Sequence, residues 1–215
     1  MKMTYQGRRA HRESSKQRRR EILEATLRII IRDGIRAVRH RAVAAEAEVP
    51  LSATTYYFKD ISDLIADTFT LFAEQTLAEV VQPFQAQALH IIEALPETLT
   101  DADKSQLITT LAQALTQYVI QGVERRDHIV AEHAFFQEAM MDPRLRKVAD
   151  TFLEGQIKAL ADACHTLSIP EPLYSAELLY NQIVFWERTL VFNQSAFEDN
   201  ELQQRVEHLL RMMML

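Results

Sequence analysis

Apolar residues recur at three- and four-residue spacing along almost the whole chain, with few alternating β-branched runs, so the pattern predicts helices throughout. Gly34 stands just past a first helix that begins near Ser14 or Ser15 and presents Ile22, Ala25, Thr26, Ile29 and Ile30 on one face. Two short helices follow at about 40–47 and 52–58, parted by Val49-Pro50, and Ser52 is placed to cap the second. A longer helix runs from about Ser62 to Gln82 and is closed by Pro83. Beyond it the pattern gives helices at about 84–95, 103–125, 127–141, 143–167, 172–194 and 198–213, with cuts at Pro96, Asp101, Pro143 and the segment Ser168–Pro172. The expected fold is all-α, with a basic arm at 1–13, a three-helix unit at 14–61 and a helical body at 62–215.

The run AVAAEAEVPLSATTYYFKDISDLI, residues 42–65, reads as short helix, turn, short helix and the start of a long one, the pattern of a helix-turn-helix. Charge agrees with that reading. Residues 1–59 hold 14 Lys+Arg against 6 Asp+Glu, a formal +8, which leaves −14 for the other 156 residues within a chain total of −6. One end of the chain is therefore built to meet a polyanion. In the second short helix Ser52 can donate to phosphate, Ala53, Thr54 and Thr55 let backbone approach base edges, and Tyr56 and Tyr57 offer rings and hydroxyls, with Phe58 packing inside. The arm has no apolar face and is expected to be mobile, suited to following a phosphate backbone or entering a minor groove. Lys16, Arg18, Arg19 and Arg20 stand at the positive end of the first helix, where a DNA phosphate would offset their repulsion from the dipole.

Composition narrows the alternatives. With 47% hydrophobic residues the chain can pack a core, and no apolar run approaches the roughly 18 residues of a membrane span, so a cytoplasmic protein is expected. Cys164 has no partner for an internal disulfide and reads as a small core residue. Phosphate-binding glycine loops, paired cysteines and a nucleophile with a recognisable base are missing, so neither an enzyme nor a cofactor is expected. His128 and His133 are five positions apart and diverge around a helix, which argues against a metal site.

Gly34, Val43-Ala44, Ala47, Val49, the run Thr55-Tyr56-Tyr57-Phe58-Lys59 and then Asp63-Leu64-Ile65 resemble, in order and spacing, the N-terminal segment of the TetR family of bacterial transcriptional regulators. The resemblance covers about residues 16–65 and implies that the 52–58 helix enters the major groove. By it, Ser52, Ala53, Thr54, Thr55 and Tyr56 lie at the DNA side, Tyr57 and Lys59 meet phosphates, and Arg41 anchors the docking. Three positions depart from the family pattern: Glu48 stands where glycine is common, Arg39 where threonine is, and Ile61 where lysine is. Glu48 implies a turn closed without a left-handed residue or a strained one, and Arg39 a direct phosphate contact.

The resemblance also implies a homodimer whose body binds a small effector. Candidate pocket residues are Phe69, Phe72, Tyr118, Phe136 and Trp186 as apolar walls, though an aromatic stripe at helical spacing is more often core, with Gln121, Glu132 and His133 as polar groups that fix a ligand. Candidate dimer contacts are Phe152, Ile157, Leu160 and Cys164 on one late helix and Leu179, Ile183 and Leu190 on the next, or these fill the monomer's own core. The function expected is that of a repressor released from a palindromic DNA operator by its effector. Its rival is a helical DNA-bound protein that works by holding a protein partner, as an architectural or cell-division factor does, without a small ligand.

Overall fold

The computed structural model describes residues 4–8, 13–93, 100–197 and 200–214. These form α1 (Glu13–Asp33), α2 (His40–Glu46), α3 (Leu51–Tyr57), α4 (Ile61–Thr76), α5 (Gln82–Glu93), α6 (Asp101–Glu124), α7 (Arg126–Ala139), α8 (Pro143–Thr166), α9 (Pro172–Phe192) and α10 (Glu201–Met214), and no strand occurs among the described residues. The rest of the arm, 1–3 and 9–12, and the expected helix ends at 94–95 and 198–199 lie outside the described residues.

Several boundaries differ from the sequence expectation for local physical reasons. Pro83 does not separate two helices. A π-helical turn, Leu77–Val81, leads directly into α5, and Pro83 sits in the first turn of α5, where a missing N–H is tolerated. Helix α4 begins at Ile61, one residue before Ser62, and Asp60 caps it, accepting from the Asp63 backbone N–H at 2.8 Å. Similarly, α3 begins one residue before Ser52, with Pro50 as its N-cap and no side-chain cap. The cap of α6 is Thr100, which forms a reciprocal capping box with Asp103.

The chain divides into two compact units, 1–78 with 130–153, and 79–129 with 154–215. In the first, Ile22, Leu23 and Ile30 of α1 pack with Phe58, with Leu64 and Phe69 of α4, and with residues of α7 and α8. All residues of α4 from Leu64 to Ala73 are buried, so this helix is the unit's axis. Threonines in it stay satisfied because Thr68, Thr70 and Thr76 each donate to the carbonyl four residues back. Phe69 stacks on Phe135 at 4.7 Å with planes 1° apart, and Phe72, Phe136 and Phe152 close around it. The second unit packs Ile108, Leu115 and Val119 of α6 against Leu179, Ile183 and Trp186 of α9 and against Leu202, Val206 and Leu210 of α10. Cys164 lies in that core, where burial pushes its thiol up.

His128 on α7 titrates against its surroundings: burial, with Arg125 beside it, pushes the imidazole down to about 4 from an ordinary 6.5. A folded pKa below the unfolded one favours the neutral ring, so its contribution is complete above pH 6.5 and is lost as pH falls towards 4. That difference corresponds to about 3 kcal/mol. Urea titrations at pH 7 and pH 4 should show His128→Gln losing less stability on acidification than the unsubstituted protein, by about that amount. Equal losses would contradict a buried neutral histidine.

Candidate nucleic-acid interface

The α2–α3 turn closes through Glu48, whose φ of 53° places a non-glycine residue in the left-handed region. Of the two readings of this departure, the strained turn is the one adopted, at a cost of about 1–2 kcal/mol. Backbone bonds hold it: Glu48 N donates to the Ala45 carbonyl and Val49 N to the Ala44 carbonyl. Glu46 ties α2 to α1, accepting from Arg28 at 2.8 Å and Arg32 at 3.0 Å, and these bonds hold its carboxyl below the usual range.

Helix α3 has two faces. Ser52, Thr55 and Tyr56 are exposed at i, i+3 and i+4, and Lys59 is exposed one turn on. Opposite them, Thr54 is fully buried, Tyr57 is buried and Phe58 is fully buried, while Ala53 sits at the flank. Thr54, expected on the DNA side, is instead turned into the unit, where its hydroxyl donates to the Leu51 carbonyl at 2.8 Å. The Tyr57 hydroxyl shares a 2.8 Å hydrogen bond with Ser15 Oγ, which locks α3 to the start of α1. Arg41 is exposed on α2, and Arg39, also exposed, folds its guanidinium back onto the Arg36 and Val38 carbonyls at 2.7 and 2.8 Å.

Cations in this region fall into two groups. Lys16, Arg18, Arg19 and Arg20 each face a carboxylate of this chain, namely Glu13, Glu21, Asp67 and Glu24, so the repulsion expected at the head of α1 is offset internally and needs no phosphate. Arg28 and Arg32 share Glu46. Among the described residues Arg8, Arg36, Arg39, Arg41 and Lys59 face no carboxylate, and all are exposed. Such a set offers positive charge outward around α2 and α3.

Residues 4–8 are not the free tail that composition suggests. Gln6 N and Gly7 N donate to the two oxygens of Asp67, at 2.5 and 2.8 Å, and Tyr5 OH donates to Glu74 at 2.5 Å. Asp67 is wholly buried; burial pushes its carboxyl up, and the Gln6 amide, the Arg19 guanidinium and the Gly7 amide act against that. Arg144 donates to Asp60 and Asp63 at 3.1 Å each, and Ser62 Oγ donates to Asp142, fastening the first turn of α4 to the head of α8.

The effector candidates belong to both units. Phe69, Phe72 and Phe136 belong to the aromatic cluster of the first unit, and Glu132 and His133 lie on its stretch of α7. In the second unit Trp186 is core, Tyr118 packs on Phe84 at 4.5 Å, and Gln121 is exposed. A cavity of about 730 Å³ in the second unit is lined instead by residues including Gln113, Thr116, Gln117, Ile120, Leu190 and Phe197. Most of the dimer candidates are buried in the two cores. Phe152 is in the first core, Cys164, Leu179, Ile183 and Leu190 are in the second, and Ile157 and Leu160 are half-buried. The large apolar residues left exposed on α9 are Leu173, Tyr174, Leu178, Phe185 and Phe192, the last at 81%. Their signal was present in the sequence as the seven-residue spacing of 178, 185 and 192, one position off the core stripe.

Among the described residues no three His, Cys, Asp or Glu stand together as metal ligands, and no helix is long and apolar enough to cross a membrane. No protein-family model and no curated protein matches the chain. Solved structures do. A TetR-family member from Streptomyces coelicolor A3 is 26% identical, with 90% of this chain and 98% of that one aligned at a TM-score of 0.66. The multidrug binding protein EbrR, in complex with proflavin, is 25% identical over 89% of this chain and 99% of its own, at 0.60. A transcriptional regulator from Rhodococcus sp. Rha1 shares the fold at 14% identity and 0.64, over 91% of this chain and 95% of that one.

Lys59→Ala is expected to weaken binding to all duplexes alike and to reduce the salt slope of binding by about 0.9. Thr55→Ala should change base preference, at about 1–3 kcal/mol for an affected position, whereas Thr54→Ala should lower thermal stability and leave preference unchanged. Binding-site selection with each variant checks this; a changed preference in Thr54→Ala with an unchanged one in Thr55→Ala would reverse the assigned faces of α3.

Proposed function

The chain belongs to the TetR family of transcriptional regulators, and we propose that it acts as a homodimeric repressor that leaves a palindromic operator when a small molecule binds. The observation that carries the DNA-reading part is the division of α3 into an exposed face of Ser52, Thr55 and Tyr56 and a locked inner face of Thr54 and Tyr57. In this reading Ser52, Thr55 and Tyr56 meet base edges, Lys59, Arg39 and Arg41 meet phosphates, and Ala53 allows close approach. The functional division is then by role: 14–61 reads DNA and 62–215 senses and dimerises.

Dimerisation is supported by the exposed α9 stripe, which two copies can bury against each other across a two-fold axis. Two readers held one DNA turn apart convert weak half-site contacts into useful affinity. An organic effector is supported by the cavity of the second unit, where glutamine amides and the Thr116 hydroxyl accompany apolar walls, and by EbrR, whose structure holds proflavin. In this reading effector binding tilts α4 and changes the separation of the two α3 helices. A shift of a few ångströms in half-site spacing is enough to misalign one reader.

Phe185→Glu places a charge on the stripe and is expected to give a folded monomer by light scattering and circular dichroism, with operator affinity lower by about 10²–10⁴. On a template carrying the bound duplex downstream of a promoter, the unsubstituted protein should reduce transcription and Phe185→Glu should not. A variant that stays dimeric would remove the α9 assignment, and increased transcription would remove the repressor one.

A further inference from the structure

Residues 4–8 form contacts that a dispensable tail has no reason to make. Asp67 takes the Gln6 and Gly7 amides and the Arg19 guanidinium into a buried cluster. Tyr5 lies against Arg19, whose guanidinium carbon is 4.4 Å from the ring centroid. Gly7 is required by this packing: a Cβ there would stand 2.7 Å from the Asp67 carboxylate, 2.9 Å from the Phe58 ring and 2.9 Å from the Tyr57 carbonyl oxygen. The next residue is delivered to α3 itself. Arg8 N donates to the Tyr57 carbonyl at 2.9 Å, one of the acceptors that a helix end leaves free, and its guanidinium stacks over the Tyr56 ring at 4.2 Å.

Stacking occupies the face of a guanidinium and leaves its in-plane N–H donors available, the arrangement suited to bidentate phosphate binding. Arg8 is exposed and faces no carboxylate among the described residues, unlike Arg19 eleven positions on, which is committed to Asp67. From these contacts we infer that residues 4–8 are a fixed third element of the DNA reader, in which Arg8 binds a backbone phosphate beside α3 and Asp67 is the residue that positions it. This rests on the DNA-binding reading of α3 and adds a contact and a positioning device to it. Because the arm is fastened before DNA arrives, the contact requires little further ordering on binding.

The test measures affinity and salt slope on duplexes retained by the unsubstituted protein from a random-sequence pool. Arg8→Ala is expected to lose about tenfold or more in affinity and about 0.9 of the salt slope, with unchanged thermal stability. Gly7→Val, which displaces the arm with Arg8 still present, should lose as much, and the Gly7→Val/Arg8→Ala double variant no more than either. Asp67→Asn should reproduce the loss, and should do so in the presence of Arg8 only. Full affinity and an unchanged slope in Arg8→Ala, while Lys59→Ala loses both, would overturn the inference and leave α3 as the reader. Additive losses in the double variant would overturn the positioning by Gly7 and Asp67, and retention of no duplex by the unsubstituted protein would overturn the inference together with the DNA-binding reading.

Discussion

A seven-residue helix has too few backbone hydrogen bonds to persist in water, so the form of α3 depends on what lies behind it. Behind it are the buried Thr54, Tyr57 and Phe58, the bond from Tyr57 to Ser15, and the α1 and α4 core. No side-chain cap holds the start of α3, and the preceding turn contains a left-handed glutamate. Tertiary packing must therefore supply what propensity does not, and it fixes which face of α3 points outward. The position of α4 matters for the same reason: its buried run Leu64 to Ala73 is the wall against which the reader is set.

Charge is managed by the same economy of contacts. The reader carries many cations, and the structure separates those that hold it together from those that face outward. Arg28 and Arg32 bind Glu46 across α1 and α2, and Arg19 binds a carboxylate wholly buried in α4. A buried carboxylate without partners would be strongly unfavourable, and the amides of Gln6 and Gly7 complete its set, which is why the arm is drawn in. What remains outward is a basic rim around α2 and α3.

Much of this was legible in sequence. Helical periodicity, Gly34, Val49-Pro50 and the Thr55–Lys59 run carried the fold class and the place of the reader, because local pattern decides both. Which side of α3 faces out was not legible: in a helix of two turns between two cores, Thr54 and Thr55 look alike, and only the packing of α1 and α4 distinguishes them. The docking of the arm depends on Asp67, sixty residues away from Gly7, a pairing with no local signature. On α9, apolar residues occur on more than one face, and sequence periodicity alone favoured the stripe that fills the monomer core over Leu178, Phe185 and Phe192.

The central claim, a two-fold regulator that reads DNA through the outer face of α3, is tested most directly by footprinting duplexes selected from genomic fragments with the purified protein. The account predicts protection of an inverted repeat whose half-sites are centred about one helical turn apart, or a multiple of it. Protection of a single unrepeated site, or uniform coverage without any preferred sequence, would contradict it.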